Sequence, residues 1–319
     1  MIISKTPFRI SLFGGSTDYE SFYSKFGSHL IGFSIDKYCY ISVKETPKIF
    51  DFLSKISYFR TEIVGDNREI EHNGARGVLE YLELLDKGHE ICCASDLPAQ
   101  TGIGSSSSFV VGLLKCFKKN LDKKDLAKTA IEVERKLLGE AGGIQDQIWA
   151  SYGGMNSIKI KNNGDFSVTP MPLSEEFKKE FMSRCVMIYT GQSRKSFKIA
   201  ASHDRVEIEN HKQEILQRAN EAYGLFYHED IDSIGMCLHK TWEYKKKISN
   251  LICTEEVDMI YKSLQEDGMI GGKLLGAGGS GFIFGILNKG IDKVSIKEKY
   301  LDHYVDFNIS EKGSEIINE

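Results

Sequence analysis

Apolar and polar residues alternate in part along two stretches near the start of the chain. Residues 2–13 and 29–43 are rich in isoleucine, phenylalanine and tyrosine. Because successive side chains of a strand point to opposite faces, this alternation predicts strands with one buried face. Shorter apolar segments predict further strands at 153–160, 184–190, 282–287 and 302–308.

Other segments carry apolar residues at the spacing of a helix. Between residues 124 and 138, four apolar residues repeat at intervals of four, three and four, which places them on one face. They are Leu126, Ala130, Val133 and Leu137, and a second stripe in 203–227 consists of Ile208, Ile215, Ala219, Ala222 and Phe226. Further helices are predicted at 73–86, 105–119, 143–151, 230–249 and 255–266. Strands and helices in both halves of the chain predict an α+β fold.

The length of the chain favours two domains. A chain of 319 residues exceeds the size at which single hydrophobic cores stop growing, about 250–300 residues. Polar residues with Pro170 and Pro172 separate the two halves and make 165–180 the candidate boundary. We therefore expect domains at 1–172 and 173–319.

Composition narrows the class of protein. A content of 41% hydrophobic and 27% charged residues is ordinary for a globular protein. The net charge of −4 and a pI near 6.1 argue against broad binding to nucleic acid or to an anionic membrane. Seven scattered cysteines without a CxxC pair predict free thiols in a reducing compartment. With no secretory leader and no apolar run near the ~20 residues of a membrane span, we expect a cytoplasmic, soluble protein.

A loop rich in glycine and serine precedes one of the predicted helices. Residues 98–107, named here the phosphate loop, read Pro-Ala-Gln-Thr-Gly-Ile-Gly-Ser-Ser-Ser. The first N–H groups of a helix are unpaired and its N-terminal dipole is positive, so such a point favours an anion, most often phosphate. The alternative is a serine-capped helix after a flexible turn. Capping needs only one serine, however, and the four in a row at 105–108 are poor formers of helix interiors.

Residues 271–281 are predicted to form a second glycine-rich loop, and its motif lies at residues 276–281. It satisfies GxGxxG, but a dinucleotide-binding fold requires a helix directly after that motif, and a strand is predicted here instead. No GxxxxGK[ST] sequence occurs anywhere in the chain. The strand–loop–strand context resembles the glycine loop of protein kinases, yet no HRD or DFG follows. The loop is either a tight turn that packs close to another site or a purely structural turn.

Three charged residues offer the parts that phosphoryl transfer needs beyond a phosphate cradle, namely a magnesium ligand and a group that positions the acceptor hydroxyl. Asp146 lies in the first turn of a predicted helix, where an alternative role is to complement the helix dipole. Glu134 flanks a buried helix face with no basic residue three or four positions away, although unpaired surface carboxylates are common. Arg9 interrupts an apolar strand and must find an anionic partner or reach water at a sheet edge.

Together these segments resemble the GHMP kinases, the superfamily of galactokinase, homoserine kinase, mevalonate kinase and phosphomevalonate kinase. Three motifs of that family occur in order and span most of the chain, at residues 7–19, 98–108 and 273–282. Within the superfamily the chain is similar to the D-glycero-D-manno-heptose 7-phosphate kinases. The similar elements are residues 14–23, 143–147, 189–194, 245–247 and 271–273, with Trp242.

The resemblance implies the GHMP kinase fold and an enzyme that uses ATP and Mg²⁺. The expected fold has an N-terminal ribosomal-protein-S5-domain-2-like domain, a C-terminal ferredoxin-like α/β sandwich domain and an active site between them. By the same resemblance, the residues around the ATP phosphates would be Pro98, Gly102, Ile103, Gly104, Ser105, Ser106 and Ser107, and the ligands of Mg²⁺ would be Ser106 and Glu134. Asp146 would orient or deprotonate the acceptor hydroxyl, and Arg9 would polarise it or stabilise charge on the transferred group. The residues expected at the sugar are Gly15, Ser16, Asp18 and Gly278.

The resemblance also implies a substrate. The γ-phosphate of ATP would pass to the anomeric hydroxyl of a heptose 7-phosphate, giving a 1,7-bisphosphate for nucleotide-activated heptose in capsule or lipopolysaccharide synthesis. Arg194 is our candidate for the cation that binds the distal phosphate, against a surface arginine that opens a helix. The alternatives are another sugar-1-kinase, related to fucokinase or galactokinase, and a non-catalytic nucleotide and sugar sensor. The expected partners are ATP and a sugar phosphate, without nucleic acid or membrane, and a homodimer is one assembly that the sequence allows.

Overall fold

The computed structural model of the protein describes residues 1–191 and 208–318. The strands in these ranges are β1 (Ile2–Phe13), β2 (Ser28–Glu45), β3 (Ser54–Ser57), β4 (Thr61–Val64), β5 (His89–Ser95), β6 (Met155–Ile160), β7 (Phe166–Pro170), β8 (Cys185–Tyr189), β9 (Met269–Leu274), β10 (Phe282–Leu287) and β11 (Glu315–Asn318). A sheet of eight strands has the order β11-β1-β2-β5-β3-β4, and in it β6 pairs with β2 and β7 pairs with β6. A second sheet of three strands has the order β8-β10-β9.

Helices connect and cover these sheets. They are α1 (Glu20–Phe26), α2 (Asn73–Tyr81), α3 (Ser105–Phe117), α4 (Lys123–Glu132), α5 (Gln145–Tyr152), α6 (Glu175–Arg184), α7 (Glu209–Tyr227), α8 (Ile231–Ile248), α9 (Glu255–Glu266) and α10 (Lys293–Lys299). Several of them begin where the sequence supplies a capping side chain. Asp122, Ser174, Asp230 and Thr254 each accept a main-chain N–H from the first turn that follows. Within the described ranges no helix has both the length and the apolar content needed to cross a membrane.

Most of the strongly patterned segments fold as predicted. The two stretches at the start of the chain form β1 and β2, which pair with each other in antiparallel fashion. Four residues of the apolar stripe predicted in 203–227 lie on α7 and the fifth, Ile208, directly precedes it; all five are buried. The mixture of helices with two sheets confirms the α+β fold class. The candidate boundary at 165–180 contains β7 and the first half of α6.

Three expectations are wrong in detail. Residues 302–308 form no continuous strand, because the segment leaves one sheet for the other: at its start Val305 N donates to Met187 O of β8 at 3.0 Å around an isolated bridge, and at its end Asn308 O accepts from Asp36 N of β2 at 3.0 Å. The predicted glycine loop at 271–281 begins inside β9. The helix predicted at 124–138 changes to a π-helical turn at residues 133–137, so Leu137 leaves the buried face and is 39% exposed.

One hydrophobic cluster contains residues of both sheets. The ring of Phe33 on β2 meets the rings of Phe284 on β10 and Phe181 on α6 edge-on, and it stacks on Phe307. The seven cysteines are all free, three of them partly or fully accessible to solvent. Because the two sheets share a core, elements from both halves of the chain can hold one site in fixed geometry.

Candidate active site

The phosphate loop leads into the N-terminus of α3. Gly102 and Gly104 have φ angles of +83° and +79°, values that favour glycine. Gly104 directly precedes the helix, and no side chain caps the first N–H groups. The serine-capped alternative is therefore wrong. The N-terminus of α3 is left open toward the loop, as an anion site requires.

The second glycine loop packs directly against the phosphate loop. A Cβ atom on Gly276 would lie 2.3 Å from the Cα atom of Gly102. One on Gly281 would lie 2.1 Å from the carbonyl oxygen of Thr101. Only residues without a side chain allow two main chains to approach so closely. Of the two interpretations of this loop, the turn that packs close to another site is confirmed.

Arg9 and Asp146 form an ion pair beside the phosphate loop. Nε and Nη2 of Arg9 donate to Oδ1 and Oδ2 of Asp146 at 2.7 and 2.8 Å, and Nη1 donates to the carbonyl oxygen of Gly102 at 2.5 Å. Arg9 is 4% exposed, so the interpretation as a sheet-edge arginine is wrong. A Cβ atom on Gly104 would lie 3.3 Å from Oδ2 of Asp146. A bidentate guanidinium thus holds this carboxylate against the loop.

Glu134 is a buried carboxylate in the π-helical turn at 133–137, with its side chain 1% exposed. Its Oε2 atom accepts hydrogen bonds from Ser107 Oγ at 3.0 Å, Arg135 Nη2 at 3.1 Å and Gln147 Nε2. Its Oε1 atom has no hydrogen-bond partner among the described residues. Burial raises the pKa of this carboxyl to about 7. The interpretation of Glu134 as a surface carboxylate is therefore wrong.

The unpaired Oε1 atom of Glu134 suits a magnesium ion. Carboxylate and hydroxyl oxygens are the hard ligands that Mg²⁺ prefers, and this ion usually takes one or two carboxylates beside substrate phosphates. Across residues 1–191 and 208–318, no cluster of three or more His, Cys, Asp or Glu side chains could hold a metal by itself. Ser107, rather than the expected Ser106, contacts Glu134. Ser106 lines the same cavity with an exposed side chain.

Asp18 is held by main-chain hydrogen bonds. Its Oδ1 atom accepts from Ser16 N and its Oδ2 atom from Gln145 N, both at 3.2 Å. Burial and, after it, the nearby Asp146 carboxylate raise the pKa of Asp18. These bonds tie the turn at 14–18 to the start of α5, immediately before Asp146.

These elements enclose a cavity of about 180 Å³. Of the expected site residues, those that line it are Arg9, Gly15, Ser16, Asp18, Gly102, Gly104, Ser105, Ser106, Ser107, Glu134 and Asp146. The structure thus brings together the candidate phosphate, metal, catalytic and sugar residues from segments more than one hundred residues apart in the chain.

Three expected residues, Pro98, Ile103 and Gly278, do not line this cavity. Ile103 is fully buried, and its carbonyl oxygen accepts from Arg9 N at 3.1 Å. Gly278 packs against Ile252, whose Cα atom would lie 2.8 Å from a Cβ at that position. Pro98 lines a neighbouring cavity. Arg194 lies outside the described residues.

Two buried lysines complete the cavity lining and were not expected there. Lys245 lies on α8 and Lys273 on β9, and each is 2% exposed. Burial lowers the pKa of Lys245 to about 7, and nearby Arg9 acts in the same direction. Burial also lowers the pKa of Lys273 well below its usual value. The sequence carries a signal for both, since each lysine occupies a position of the buried apolar pattern of its own element.

A larger cavity of about 950 Å³ lies beside the first. The two share Gln100, Ser105 and Ser106, so they meet at the phosphate loop. Side chains that line the larger cavity include Phe8, Tyr58, His72, Leu97 and Phe109. A pocket of this size with aromatic and aliphatic walls suits a nucleoside whose phosphates extend toward the loop.

Comparison with known proteins shows that this chain is similar to kinases. Residues 73–154 match the GHMP kinases N terminal domain. Over 98% of this chain and 97% of the relative, the sequence is 28% identical to D-glycero-alpha-D-manno-heptose 7-phosphate kinase of Campylobacter jejuni. It is 28% identical to mevalonate kinase of Methanocaldococcus jannaschii, over 93% and 95% of the two chains. The fold matches a solved structure described as a D-glycero-D-manno-heptose 1-phosphate kinase from Bacteriodes thetaiotaomicron, with a TM-score of 0.80, 23% identity and coverage of 100% and 99%.

These relatives are kinases, so the prediction of a phosphotransferase with an alcohol group as acceptor is confirmed. The matched domain contains the phosphate loop, Glu134 and Asp146. The fold match covers the whole chain, including the second glycine loop that packs on the phosphate loop. Residues 73–154 thus match the GHMP kinases N terminal domain, and the whole chain is similar in sequence and in fold to kinases.

Proposed function

We propose that this protein transfers the γ-phosphate of ATP to the anomeric hydroxyl of D-glycero-D-manno-heptose 7-phosphate. The main support for this transfer is the position of Asp146. Its carboxylate lies close to Gly104 at the open N-terminus of α3, and Arg9 holds it there through two hydrogen bonds. Donor phosphates at that N-terminus would be presented directly to an acceptor hydroxyl at Asp146. The heptose 7-phosphate is supported by the relative in Campylobacter jejuni.

Asp146 and Arg9 would have different roles in this reaction. Asp146 would accept a hydrogen bond from the acceptor hydroxyl and take its proton, while the hydroxyl oxygen bonds to the γ-phosphorus and the bond to the β-phosphate oxygen breaks. Arg9 orients the carboxylate through two hydrogen bonds and brings positive charge to the group in transfer. Its third bond, to Gly102 O, fixes this pair relative to the phosphate loop.

Glu134 and the serines at the start of α3 would hold Mg²⁺. The ion, when bound, neutralises charge on the donor phosphates. Ser107 and Gln147 donate to one carboxylate oxygen and leave the other unpaired, and the residue lines the cavity. Asp18, fixed by main-chain N–H groups, would contact sugar hydroxyls. The product, a heptose 1,7-bisphosphate, would serve synthesis of nucleotide-activated heptose in the cytoplasm.

Two experiments test this proposal: a comparison of acceptor substrates, and a comparison of one variant with the unmodified protein. ADP release is measured with heptose 7-phosphate, sedoheptulose 7-phosphate, fucose, galactose and mevalonate, and heptose 7-phosphate should give the highest kcat/KM. Asp146→Asn keeps the shape of the side chain but cannot take a proton, so kcat should fall at least 100-fold while ATP binding persists. Asp302→Asn, at an exposed position, is the matched control and should behave as the unmodified protein. Turnover of Asp146→Asn above about 10% would exclude Asp146 as the base. Faster turnover of fucose or galactose would identify another sugar-1-kinase.

A further inference from the structure

The ammonium groups of Lys245 and Lys273 are buried without a carboxylate partner. Nζ of Lys245 donates to the carbonyl oxygens of Leu274, at 3.3 Å, and Gly276. Nζ of Lys273 donates to the carbonyl oxygen of Leu12 at 3.1 Å. In the part of the chain that the structure describes, neither lysine has an Asp or Glu oxygen within 4.0 Å. Burying an uncompensated cation is costly, so two in one cavity need an explanation.

Four carboxylates line the cavity, and each lies close to groups other than the lysines; for Glu140 this group is Arg135. Asp146 is bound through both oxygens by Arg9. Asp18 accepts main-chain N–H groups at both of its oxygens. Glu134 is bonded to Arg135 and to neutral donors. The positive charge of the two lysines is therefore available to a ligand.

Unsatisfied polar atoms lie beside the lysines. A Cβ atom on Gly15 would lie 3.8 Å from Lys273 Nζ, 3.3 Å from Ser11 Oγ and 3.8 Å from Gln145 Nε2, so these groups surround the space that glycine leaves free. Ser11 is 3% exposed and its Oγ atom has no hydrogen-bond partner among the described residues, nor does Oε1 of Gln145. Buried hydroxyls are rarely left unpaired in a finished structure. Ser11, Gln145 and Lys273 all line the cavity.

We propose that Lys245 and Lys273, with the Ser11 hydroxyl, form a subsite for a phosphomonoester dianion carried by the acceptor sugar. Two ammonium groups match the charge of a dianion, and the hydroxyl can donate a further hydrogen bond to it. The subsite lies at the turn of 14–18 and the start of α5, which also hold Asp18, the expected sugar contact. The donor phosphates have their own cradle at the start of α3. This inference rests on the proposed function, because it supplies the distal-phosphate site of that substrate.

The lowered pKa values of the two lysines agree with this assignment. Burial and, after it, Arg9 bring the pKa of Lys245 down to about 7, and burial, Lys245 and Arg9 lower the pKa of Lys273; the Asp18 carboxylate acts in the opposite direction on both lysines but is outweighed. A dianion in contact with both groups favours their charged forms. Binding of the sugar phosphate near pH 8 should therefore take up protons, whereas binding of the unphosphorylated sugar should not.

The test compares binding of heptose 7-phosphate and of unphosphorylated heptose by calorimetry, without nucleotide. The unmodified protein should bind the phosphorylated sugar at least tenfold more tightly, and this comparison needs no variant. Lys245→Met and Lys273→Gln should each weaken the binding of heptose 7-phosphate by about 10- to 100-fold, the range for charge-assisted hydrogen bonds, and leave binding of heptose within about threefold. The glutamine keeps a donor for Leu12 O, so the variant retains the bond that could serve the fold. Lys247→Met, an exposed lysine on the same helix, is the matched control and should bind both sugars normally.

The outcomes separate this site from the proposed function. Equal affinity of the unmodified protein for both sugars overturns the subsite, as does an equal loss of both sugars in the two lysine variants. If heptose 7-phosphate binds through the lysines but no phosphate is transferred to it from ATP, the proposed function fails and the subsite stands. If transfer occurs and the variants lose only kcat, with sugar affinity unchanged, the lysines act on the transferred group and the subsite is excluded.

Discussion

Replacing Glu134 by glutamine removes the titratable proton of the candidate metal ligand while keeping the size of its side chain. In the folded protein, burial raises the pKa of this carboxyl from 4.5 to about 7. The folded state therefore holds a proton that the unfolded chain has lost throughout the window between those two pKa values. Stability from this group is present below pH 4.5 and is lost as the pH rises through 7.

The size of the effect follows from the shift. At 1.36 kcal/mol per pKa unit, ionisation of Glu134 lowers the free energy of unfolding by about 3 kcal/mol at pH 8 and by less than about 1 kcal/mol at pH 5. Glutamine resembles the protonated acid and escapes this loss. Without metal, Glu134→Gln should thus be more stable than the unmodified protein by about 3 kcal/mol at pH 8, with a gain below about 1 kcal/mol at pH 5.

The assay is urea unfolding at the two pH values, with and without Mg²⁺ and ATP. Mg²⁺ binds the ionised carboxylate, so at pH 8 it should stabilise the unmodified protein and have little effect on the variant. Glu132→Gln, a half-exposed residue at the end of α4, is the matched control, and its effect should stay below about 1 kcal/mol at both pH values. A stability difference between Glu134→Gln and the unmodified protein that does not change between pH 5 and pH 8 would refute the reasoning.

Three further substitutions test the loops, the ion pair and the core. Gly276→Ala would force a Cβ atom into the phosphate loop and should raise the KM for ATP at least tenfold, whereas Gly290→Ala, equally left-handed but with open space around it, should not. In Arg9→Lys, the lysine cannot bind the Asp146 carboxylate through two parallel hydrogen bonds, so kcat should fall by about 100-fold. The melting temperature of this variant is measured to check that it folds. Phe33→Ala should cost about 3–5 kcal/mol in urea unfolding, because the ring is fully buried where the sheets meet; a loss as small as that of the exposed Phe59→Ala, about 0.5 kcal/mol, would contradict a shared core.

The strongest local patterns were enough to predict the elements that carry the site. The apolar residues at 2–13 specify β1, which is buried on both faces from Thr6 to Phe13, and the residues of the stripe predicted in 203–227 are all buried. The glycines at 102 and 104 and the serines after them identify the phosphate loop, because main-chain geometry there depends on local residue types. Short strands such as β3 and β4 were missed, since four residues of mixed polarity hold no clear period.

Contacts between distant segments could not be read from periodicity. The segment 302–308 has an apolar pattern, but it passes from one sheet to the other and makes only a few hydrogen bonds to each, a property of the assembled fold and not of the segment. The serine that contacts Glu134 depends on how α3 is rotated relative to the π-helical turn at 133–137. The apolar spacing in 124–138 did not reveal that turn. The resemblance to a family placed the motifs correctly, yet Gly278 faces Ile252 and not the cavity.

The buried charges of the cavity have one physical cause. Burial raises the pKa values of Glu134 and Asp18 and lowers those of Lys245 and Lys273, so each group is driven toward its neutral form while the cavity holds only solvent. A metal ion at Glu134 and a phosphate at the two lysines would favour the charged forms of these three groups. In the free protein, the neutral forms of these groups avoid the cost of isolated buried charges. The site becomes strongly polar only when its ligands bind. This explains why residues that look out of place in apolar helices and strands converge on one small cavity.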